Sequence, residues 1–215
     1  MELLNKNIAF LGDSITEGYG ATDHYGYVDY FREYSGANCV NCGIAGTRIA
    51  KQKSITRDHP TFDEDFCKRA REMKGEFDFI IVFGGTNDYG HGDADFGTFG
   101  DRTSDTFYGA LHTLYRRLIE KYPTTEIVVI TPIHRADEDV VKNAVTGLYL
   151  KSYIDAIREV AEYYSLPVLD LYKYSGIQPN IPVVRETFVK DGLHPTDLGH
   201  QRIARKIIKY LENNF

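Results

Sequence analysis

Short runs of β-branched and aromatic residues alternate with longer amphipathic stretches along the whole chain. The runs predict five strands, at residues 7–11, 38–41, 79–83, 127–130 and 167–169. Because these runs are largely apolar instead of strictly alternating with polar residues, they are typical of strands buried in a parallel sheet. The stretches between them predict five helices, at residues 25–34, 62–73, 107–121, 146–164 and 196–211. This alternation predicts an α/β fold, a three-layer α/β/α sandwich around a five-stranded parallel sheet.

Three segments fit neither the strand period nor the helix period: residues 89–106, 132–145 and 172–190. Each follows a predicted strand, so we expect all three at the C-terminal edge of the sheet, where open α/β folds bind ligands. The first segment is rich in glycine and aspartate, and long loops of this kind more often shape a pocket than simply cover the surface. The alternative is that residues 89–106 form an ordinary surface loop that lines no pocket.

The length of 215 residues suits a single domain over residues 1–215, which is large enough for one buried core. The formal net charge of −6 opposes binding to phosphate backbones, and the basic residues are scattered except for a group on the last predicted helix. Nucleic acid is therefore not expected as a partner. The chain has no apolar run long enough to span a membrane and no apparent signal peptide, so we expect a cytoplasmic protein without stable membrane association. The oligomeric state stays open.

The three cysteines, Cys39, Cys42 and Cys67, are an odd number, so at least one thiol is free within a single chain. Cys39 and Cys42 have the spacing of a redox or metal pair. However, no second cysteine pair or nearby histidine completes a zinc site in the sequence. We therefore expect inert thiols and neither a metal ion nor an organic cofactor.

Ser14 follows the first predicted strand, at the point where the chain turns into a helix. A serine at such a strand end is exposed without being mobile, which suits a nucleophile. Asp191 and His194 stand three residues apart just before the last predicted helix, a spacing that lets the carboxylate reach one ring nitrogen of the imidazole. The other ring nitrogen would accept the proton of Ser14. The pattern predicts a catalytic triad of Ser14, His194 and Asp191 for acyl transfer.

Acyl transfer also needs donors that face the oxyanion of the tetrahedral intermediate. The backbone N–H groups of Ser14 and Gly46 and the side-chain amide of Asn87 follow three successive strands, and they are the candidates for this oxyanion hole. Each residue also has a structural interpretation: Ser14 as a helix cap, Gly46 as a turn glycine and Asn87 as a turn residue. Asp191 and His194 could likewise belong to a capped turn. Because all five fall at strand ends or just before the last helix, we favour the catalytic interpretation.

Four sequence blocks resemble those of the SGNH hydrolases, also called the GDSL esterase/lipase superfamily. The blocks are residues 12–18 (GDSITEG), 41–46 (NCGIAG), 84–88 (GGTND) and 191–195 (DGLHP), and they run from one end of the chain to the other. The family's serine, glycine, asparagine, histidine and triad acid correspond to Ser14, Gly46, Asn87, His194 and Asp191. The family's signature leucine is an isoleucine here. The resemblance implies a flavodoxin-like SGNH hydrolase fold and an ester hydrolase that forms an acyl-serine intermediate without a cofactor.

The second block contains two glycines that suit the oxyanion role, Gly43 and Gly46. The family's spacing places this glycine five residues after an asparagine, here Asn41, and therefore favours Gly46. Two other α/β enzyme classes fit less well. The surroundings of Ser14 lack the Gly-x-Ser-x-Gly pattern of α/β-hydrolases, and no glycine-rich phosphate loop indicates a nucleotide-binding fold.

Five residues just beyond the catalytic blocks are candidate substrate contacts, each with ordinary loop structure as the alternative: Tyr19, Arg48, Tyr89, His91 and Arg135. The loops around the predicted site are polar, glycine-rich and aromatic, and they carry no apolar lid. We therefore expect a small-molecule or carbohydrate ester as substrate, most plausibly O-acetyl groups of carbohydrates. The alternatives are a lysophospholipase or acyl-CoA thioesterase, which would prefer long chains, and a non-catalytic carbohydrate-binding protein of the same fold.

Overall fold

Five parallel strands form one sheet in the computed structural model, which describes residues 2–215. The strands are β1 (Asn7–Gly12), β2 (Asn38–Gly43), β3 (Phe79–Phe83), β4 (Glu126–Ile130) and β5 (Val168–Leu169). Their spatial order is β2-β1-β3-β4-β5, and every pair of neighbours is parallel. This is the flavodoxin-like order. Strand β2 lies on one side of β1 and the later strands lie on the other, so the topological switch point is between β1 and β3. The predicted fold class and the five predicted strands are confirmed.

Helices cover both faces of the sheet because successive strand residues point to opposite sides. In β1, Ala9 and Leu11 pack into one buried cluster, and Ile8 and Phe10 pack into the other. The first cluster is completed by α3 (Phe66–Glu72), α5 (Phe107–Lys121) and α6 (Leu150–Tyr163). The second is completed by α2 (Tyr27–Ser35) and α9 (Asp197–Asn214). The remaining helices are short: α1 (Ser14–Glu17), α4 (Thr86–His91), α7 (Leu171–Tyr174) and α8 (Pro182–Phe188).

The structure corrects two of the expected boundaries and one expected burial. The helix predicted over residues 62–73 begins at Phe66, because Asp65 caps it by accepting a hydrogen bond from the Lys68 N–H and Pro60–Asp63 forms a separate 3₁₀ turn. The helix predicted over residues 146–164 begins at Leu150. Strand β2 is not fully buried, since it lies at the sheet edge and pairs only with β1; Val40, for example, is 47% exposed.

The three segments without clear periodicity meet at the C-terminal edge of the sheet, as expected. The hydroxyl of Tyr89 donates to the backbone carbonyl of Val140, which joins the first segment to the second. Gln178 donates to Glu138 over 3.3 Å, which joins the third segment to the second. The first and third segments also contain parts of α4, α7 and α8, which the sequence did not predict because each is only four to seven residues long.

All three cysteines are free thiols, and burial raises the pKa of each, to about 11 for Cys39. Their reactive thiolate form is thus disfavoured. Within residues 2–215, no group of three His, Cys, Asp or Glu side chains is arranged to hold a metal ion. None of the helices in this part of the chain has the length and apolar character needed to cross a bilayer.

Candidate active site

Ser14 is the first residue of α1, immediately after β1 ends at Gly12. The helix cap is the preceding residue, because Asp13 Oδ1 accepts a hydrogen bond from the Ile15 N–H at 3.0 Å. Asp13 is buried, and this burial raises the pKa of its carboxyl to about 6. The hydroxyl of Ser14 is therefore not needed as a helix cap. Ser14 lies at the strand end with 6% of its surface exposed.

The structure brings the three predicted triad residues together in one hydrogen-bonded row. Ser14 Oγ lies 3.2 Å from His194 Nε2, and His194 Nδ1 lies 2.6 Å from Asp191 Oδ2. The second carboxylate oxygen of Asp191 accepts the backbone N–H groups of Leu193, at 2.8 Å, and His194, at 2.7 Å. These backbone bonds fix the carboxylate against the loop that carries the imidazole.

The protonation of Asp191 follows from these contacts. Burial raises the pKa of its carboxyl, but the hydrogen bonds from the His194 ring and from the two backbone N–H groups outweigh it and lower the pKa to about 2. Asp191 is therefore ionised at neutral pH and can only accept. The proton of a neutral His194 ring then lies on Nδ1, and Nε2 is free to accept a proton from Ser14.

Two side-chain hydrogen bonds hold the end of β2 and the loop that follows it against α1. Asn41 Nδ2 donates to the Thr16 carbonyl at 2.8 Å, and the Ala45 N–H donates to Glu17 Oε2 at 2.5 Å. Gly46 has φ of +73°, and a Cβ there would lie 2.2 Å from the ring of Phe62. Only glycine satisfies both restrictions without strain. The loop thus places a bare backbone close to α1.

Asn87 lies on α4, directly after β3, and is 5% exposed. Its Nδ2 donates to the Thr47 carbonyl at 3.0 Å, so the side chain faces the loop that carries Gly46. A primary amide has two N–H groups, and this bond uses one of them. The other is available to an oxyanion. The Asn87 side chain bonds the Thr47 carbonyl instead of its own backbone, so it does not act as the turn residue that the structural alternative proposed.

The sequence model of the GDSL-like lipase/acylhydrolase family matches residues 10–202. The chain belongs to this family. It is accordingly an ester hydrolase, and the predicted resemblance to the SGNH, or GDSL, superfamily is confirmed. A comparison with the sequences of curated proteins finds no match.

Solved structures share the fold over nearly the full length. A protein from Lactobacillus plantarum is 32% identical with a TM-score of 0.86, and the match covers 99% of both chains. A lipase/acylhydrolase from Enterococcus faecalis is 20% identical with a TM-score of 0.64, covering 97% of this chain and 96% of that one. A carbohydrate acetylesterase family member from Sinorhizobium meliloti is 18% identical with a TM-score of 0.65, covering 96% and 97%. The last two identities are low enough that these matches concern the fold alone.

Arg69, which no sequence motif indicated, is a partly buried arginine of α3 that joins the loops of this GDSL-like hydrolase. Its Nη1 donates to the carbonyls of Gly12, at 3.0 Å, and Cys42, at 2.7 Å, and its Nη2 donates to Thr47 Oγ1 at 2.8 Å. Burial lowers the pKa of Arg69 to about 10, so the guanidinium stays charged at neutral pH. One side chain therefore ties together the end of β1, the end of β2 and the loop that carries Gly46, residues 44–50, here called the glycine loop.

We expect Arg69→Met to lower kcat by about 10- to 100-fold, because a small displacement of the loops misaligns the reacting groups. Arg69→Lys should recover little of this loss, since an ammonium cannot reproduce the fork of donors. Arg117→Met is the matched control, because Arg117 also donates to a backbone carbonyl, in its case that of Cys67 in α3 at 2.9 Å. Steady-state kinetics with thermal unfolding of each variant checks the prediction, and an Arg69→Met enzyme with unchanged kcat would contradict it.

A buried carboxylate of α4 holds the same loop further along. Asp88 accepts the backbone N–H groups of Ile49 and Ala50, both at 2.9 Å. Its complete burial raises the pKa of this carboxyl to about 6. The residue before it, Asn87, is thereby fixed relative to the loop from two sides. The Asn87-Asp88 pair that follows β3 thus has a structural role through Asp88 in addition to the catalytic role proposed for Asn87.

Two of the five candidate substrate contacts, Tyr19 and His91, are exposed enough to meet a substrate, and a third, Arg48, lies directly beside His91. Tyr19 is 48% exposed, and its ring centroid lies 4.8 Å from that of His194. His91 is exposed at the end of α4. Arg48 is only 3% exposed, but its Nη1 lies 3.0 Å from His91 Nδ1. These three residues form two groups, one beside His194 and one beside the glycine loop.

The prediction for Tyr89 is wrong. Its side chain is fully buried, and its hydroxyl donates to backbone carbonyls of the segment 132–145. Arg135 is 7% exposed, with its donors on Thr86 and Asp137 and its guanidinium 5.1 Å from the Tyr89 ring. Both side chains attach α4 to the neighbouring loop, so they support the position of Asn87 instead of facing a substrate.

Proposed function

We propose that this ester hydrolase removes short acyl groups, in particular O-acetyl groups of carbohydrates, through an acyl-enzyme on Ser14. The observation that carries the proposal is the row of hydrogen bonds from Ser14 through His194 to an ionised Asp191. Such a row supplies a nucleophile, a base and a group that orients the base.

In the acylation step, Ser14 Oγ attacks the ester carbonyl carbon while its proton passes to His194 Nε2. The carbonyl oxygen becomes an oxyanion, and the N–H groups of Ser14 and Gly46 and the free N–H of Asn87 are its proposed donors. His194 then gives the proton to the alkoxide leaving group, and the C–O bond to the alcohol breaks. Asp191 stabilises the imidazolium that exists between these two transfers.

In the deacylation step, a water molecule replaces the alcohol. His194 Nε2 accepts a proton from the water, whose oxygen attacks the acyl carbon, and the same oxyanion donors act again. The bond between the acyl carbon and Ser14 Oγ then breaks, and His194 returns the proton to Ser14. The products are the free alcohol and the carboxylic acid, and no atom from a cofactor enters.

The surroundings of the site support a short acyl group. The aromatic residues of the segment 89–106 pack inward: Phe96 against Phe107 and Tyr153, and Phe99 against His112. They are thus not available to line an apolar trough. A surface cavity of about 800 Å³ lies at the amino ends of the strands, at the opposite edge of the sheet from Ser14.

A polar, ring-shaped alcohol is supported by Tyr19. The leaving-group oxygen must come within hydrogen-bonding distance of His194 Nε2 to receive its proton. The leaving group therefore lies near the Tyr19 ring, which is 48% exposed and packs on the imidazole. An exposed aromatic face offers an apolar surface with a polar hydroxyl at its rim, which suits the face of a sugar ring.

We expect kcat/KM to fall from acetyl and butyryl esters to palmitoyl esters of one alcohol. Each CH₂ contributes roughly 0.8 kcal/mol only when it is buried against an apolar surface, and the inward-packed aromatic residues offer none. A series of p-nitrophenyl esters together with acetylated sugars measures this. Rates that rise beyond about eight carbons, where buried CH₂ groups would add up, would contradict the proposal and favour a lysophospholipase or acyl-CoA thioesterase.

A further inference from the structure

Helix α4 presents two side chains to two consecutive residues of the glycine loop. Asn87 and His91 are four positions apart, so they lie on the same face of the helix, one turn from each other. Asn87 Nδ2 donates to the Thr47 carbonyl at 3.0 Å, and His91 Nδ1 lies 3.0 Å from Nη1 of Arg48. His91 therefore continues the surface on which Asn87 is the proposed oxyanion donor.

Phe62 places His91 close to Gly46 as well. The ring of Phe62 lies against Gly46, where a Cβ would come within 2.2 Å of it, and its centroid is 5.5 Å from that of the His91 ring. Gly46, Phe62 and His91 are thus in contiguous contact. Because His91 is exposed and Gly46 borders the proposed oxyanion hole, the imidazole lies at the rim of the site.

Arg48 determines which nitrogen of His91 carries the proton. A guanidinium has only donors, so a hydrogen bond from Nη1 requires His91 Nδ1 to be the acceptor, and the ring proton must be on Nε2. Arg48 is itself held by Asp63 Oδ1 at 3.0 Å and Thr56 Oγ1 at 3.3 Å. Desolvation of the ring, with the positive charges of Arg48 and Arg135, lowers the pKa of His91 to about 4.

We propose that His91 is a specificity-determining residue, whose Nε2–H donates a hydrogen bond to a hydroxyl oxygen of a polar ester substrate. Arg48 is the positioning residue that keeps this donor in place. With Nδ1 engaged by Arg48, the donor that the ring can offer to a substrate is Nε2–H. The inference rests on the proposed function, because it assumes that substrate binds beside Ser14. It assigns to His91 a binding role and not that of a base.

The tautomer is tested by NMR of ¹⁵N-labelled enzyme, without reference to activity. We expect the His91 ring to show a protonated Nε2 and an unprotonated Nδ1, and not to titrate between pH 5 and 8. In Arg48→Met one of the positive charges that lower the His91 pKa is gone, so the pKa should rise relative to the native enzyme. A His91 ring in the native enzyme that is protonated on Nδ1, or that titrates near neutral pH, would overturn the inference.

The binding role is tested with two variants of different shape and hydrogen-bonding capacity. His91→Phe keeps an aromatic ring on Phe62 but has no donor, and His91→Gln keeps an N–H donor. For an acetylated sugar, His91→Phe should raise KM by about 5- to 10-fold, the effect of one lost hydrogen bond, and His91→Gln should restore much of it. Turnover of p-nitrophenyl acetate, which has no hydroxyl to bind, should change little.

His59→Phe is the matched control, because His59 also stacks on Phe62, with ring centroids 4.8 Å apart. It should leave both substrates unaffected. If His91→Phe lowers kcat equally for both substrates, His91 supports the loop structurally and the inference is overturned. If Ser14→Ala remains active while the NMR result holds, the proposed function fails and the tautomer assignment does not, so the two failures are distinguishable.

Discussion

Replacement of Ser14 by alanine is expected to abolish ester hydrolysis while leaving the fold intact. The loss should be on the order of 10⁴-fold or more, because only the oxyanion donors and substrate binding then contribute to the rate. The substitution removes one hydroxyl whose side-chain hydrogen bond is to His194 Nε2, so little packing is lost. Turnover of p-nitrophenyl acetate, with circular dichroism and thermal unfolding of the same sample, measures both parts of the prediction.

Ser54→Ala is a suitable control, because Ser54 is exposed on a loop away from the triad and should retain normal turnover. Near-normal hydrolysis by a folded Ser14→Ala enzyme would rule out the proposed nucleophile. A native protein that binds acetylated sugars without hydrolysing any ester would instead support the non-catalytic alternative.

The second large effect is expected at Asn87. Asn87→Ala should lower kcat by about 10²- to 10³-fold with a smaller change in KM, because an oxyanion donor acts mainly on the transition state. Its Nδ2 has one N–H on the Thr47 carbonyl and one free, so the same amide also links α4 to the glycine loop. Steady-state kinetics on an acetyl ester separates kcat from KM.

Asn87→Asp refines this measurement, because a carboxylate has nearly the same shape as the amide but has no N–H and repels an oxyanion. It should be at least as slow as Asn87→Ala. A change confined to KM in both variants would assign Asn87 to substrate binding and not to the oxyanion hole. Equal losses in kcat and thermal stability would assign it to the loop contact with Thr47.

The sheet could be predicted from sequence because its strands are apolar runs with clear ends. Strand β2 was the exception in burial, because two of its four predicted residues are asparagines and because its position at the sheet edge depends on the order of all five strands. The start of α3 was placed too early because Phe62 belongs to a 3₁₀ turn, and the cap at Asp65 decides the boundary. Local residues fix a cap, but the period of apolar residues does not reveal it.

The proposed catalytic residues could be found because each lies at a strand end or in a short local motif. Asp191 and His194 are three positions apart in the sequence, and Ser14 is separated from β1 only by Asp13. Arg69 gave no such signal. It lies within a helix, and its partners at Gly12, Cys42 and Thr47 come from distant parts of the chain. Only the packing of α3 on the sheet brings this arginine to the loops.

The candidate substrate contacts show the same limit. His91 and Tyr89 are two residues apart on α4, so they point to different faces of the helix. His91 faces Arg48 and the rim of the site, whereas Tyr89 is buried against the neighbouring loop. The distinction depends on which face of a six-residue helix meets the core, and a segment this short has too few residues for a periodic pattern.

The central claim, a covalent acyl-enzyme on Ser14, is tested most directly by rapid-quench mass spectrometry during turnover of p-nitrophenyl acetate. Release of p-nitrophenol is fast compared with many deacylation steps, so the intermediate should accumulate in an initial burst. We expect one acetyl group on the peptide that contains Ser14, and none on that peptide in Ser14→Ala. Turnover with no acetyl group on Ser14, or with the acetyl group on another residue, would contradict the account.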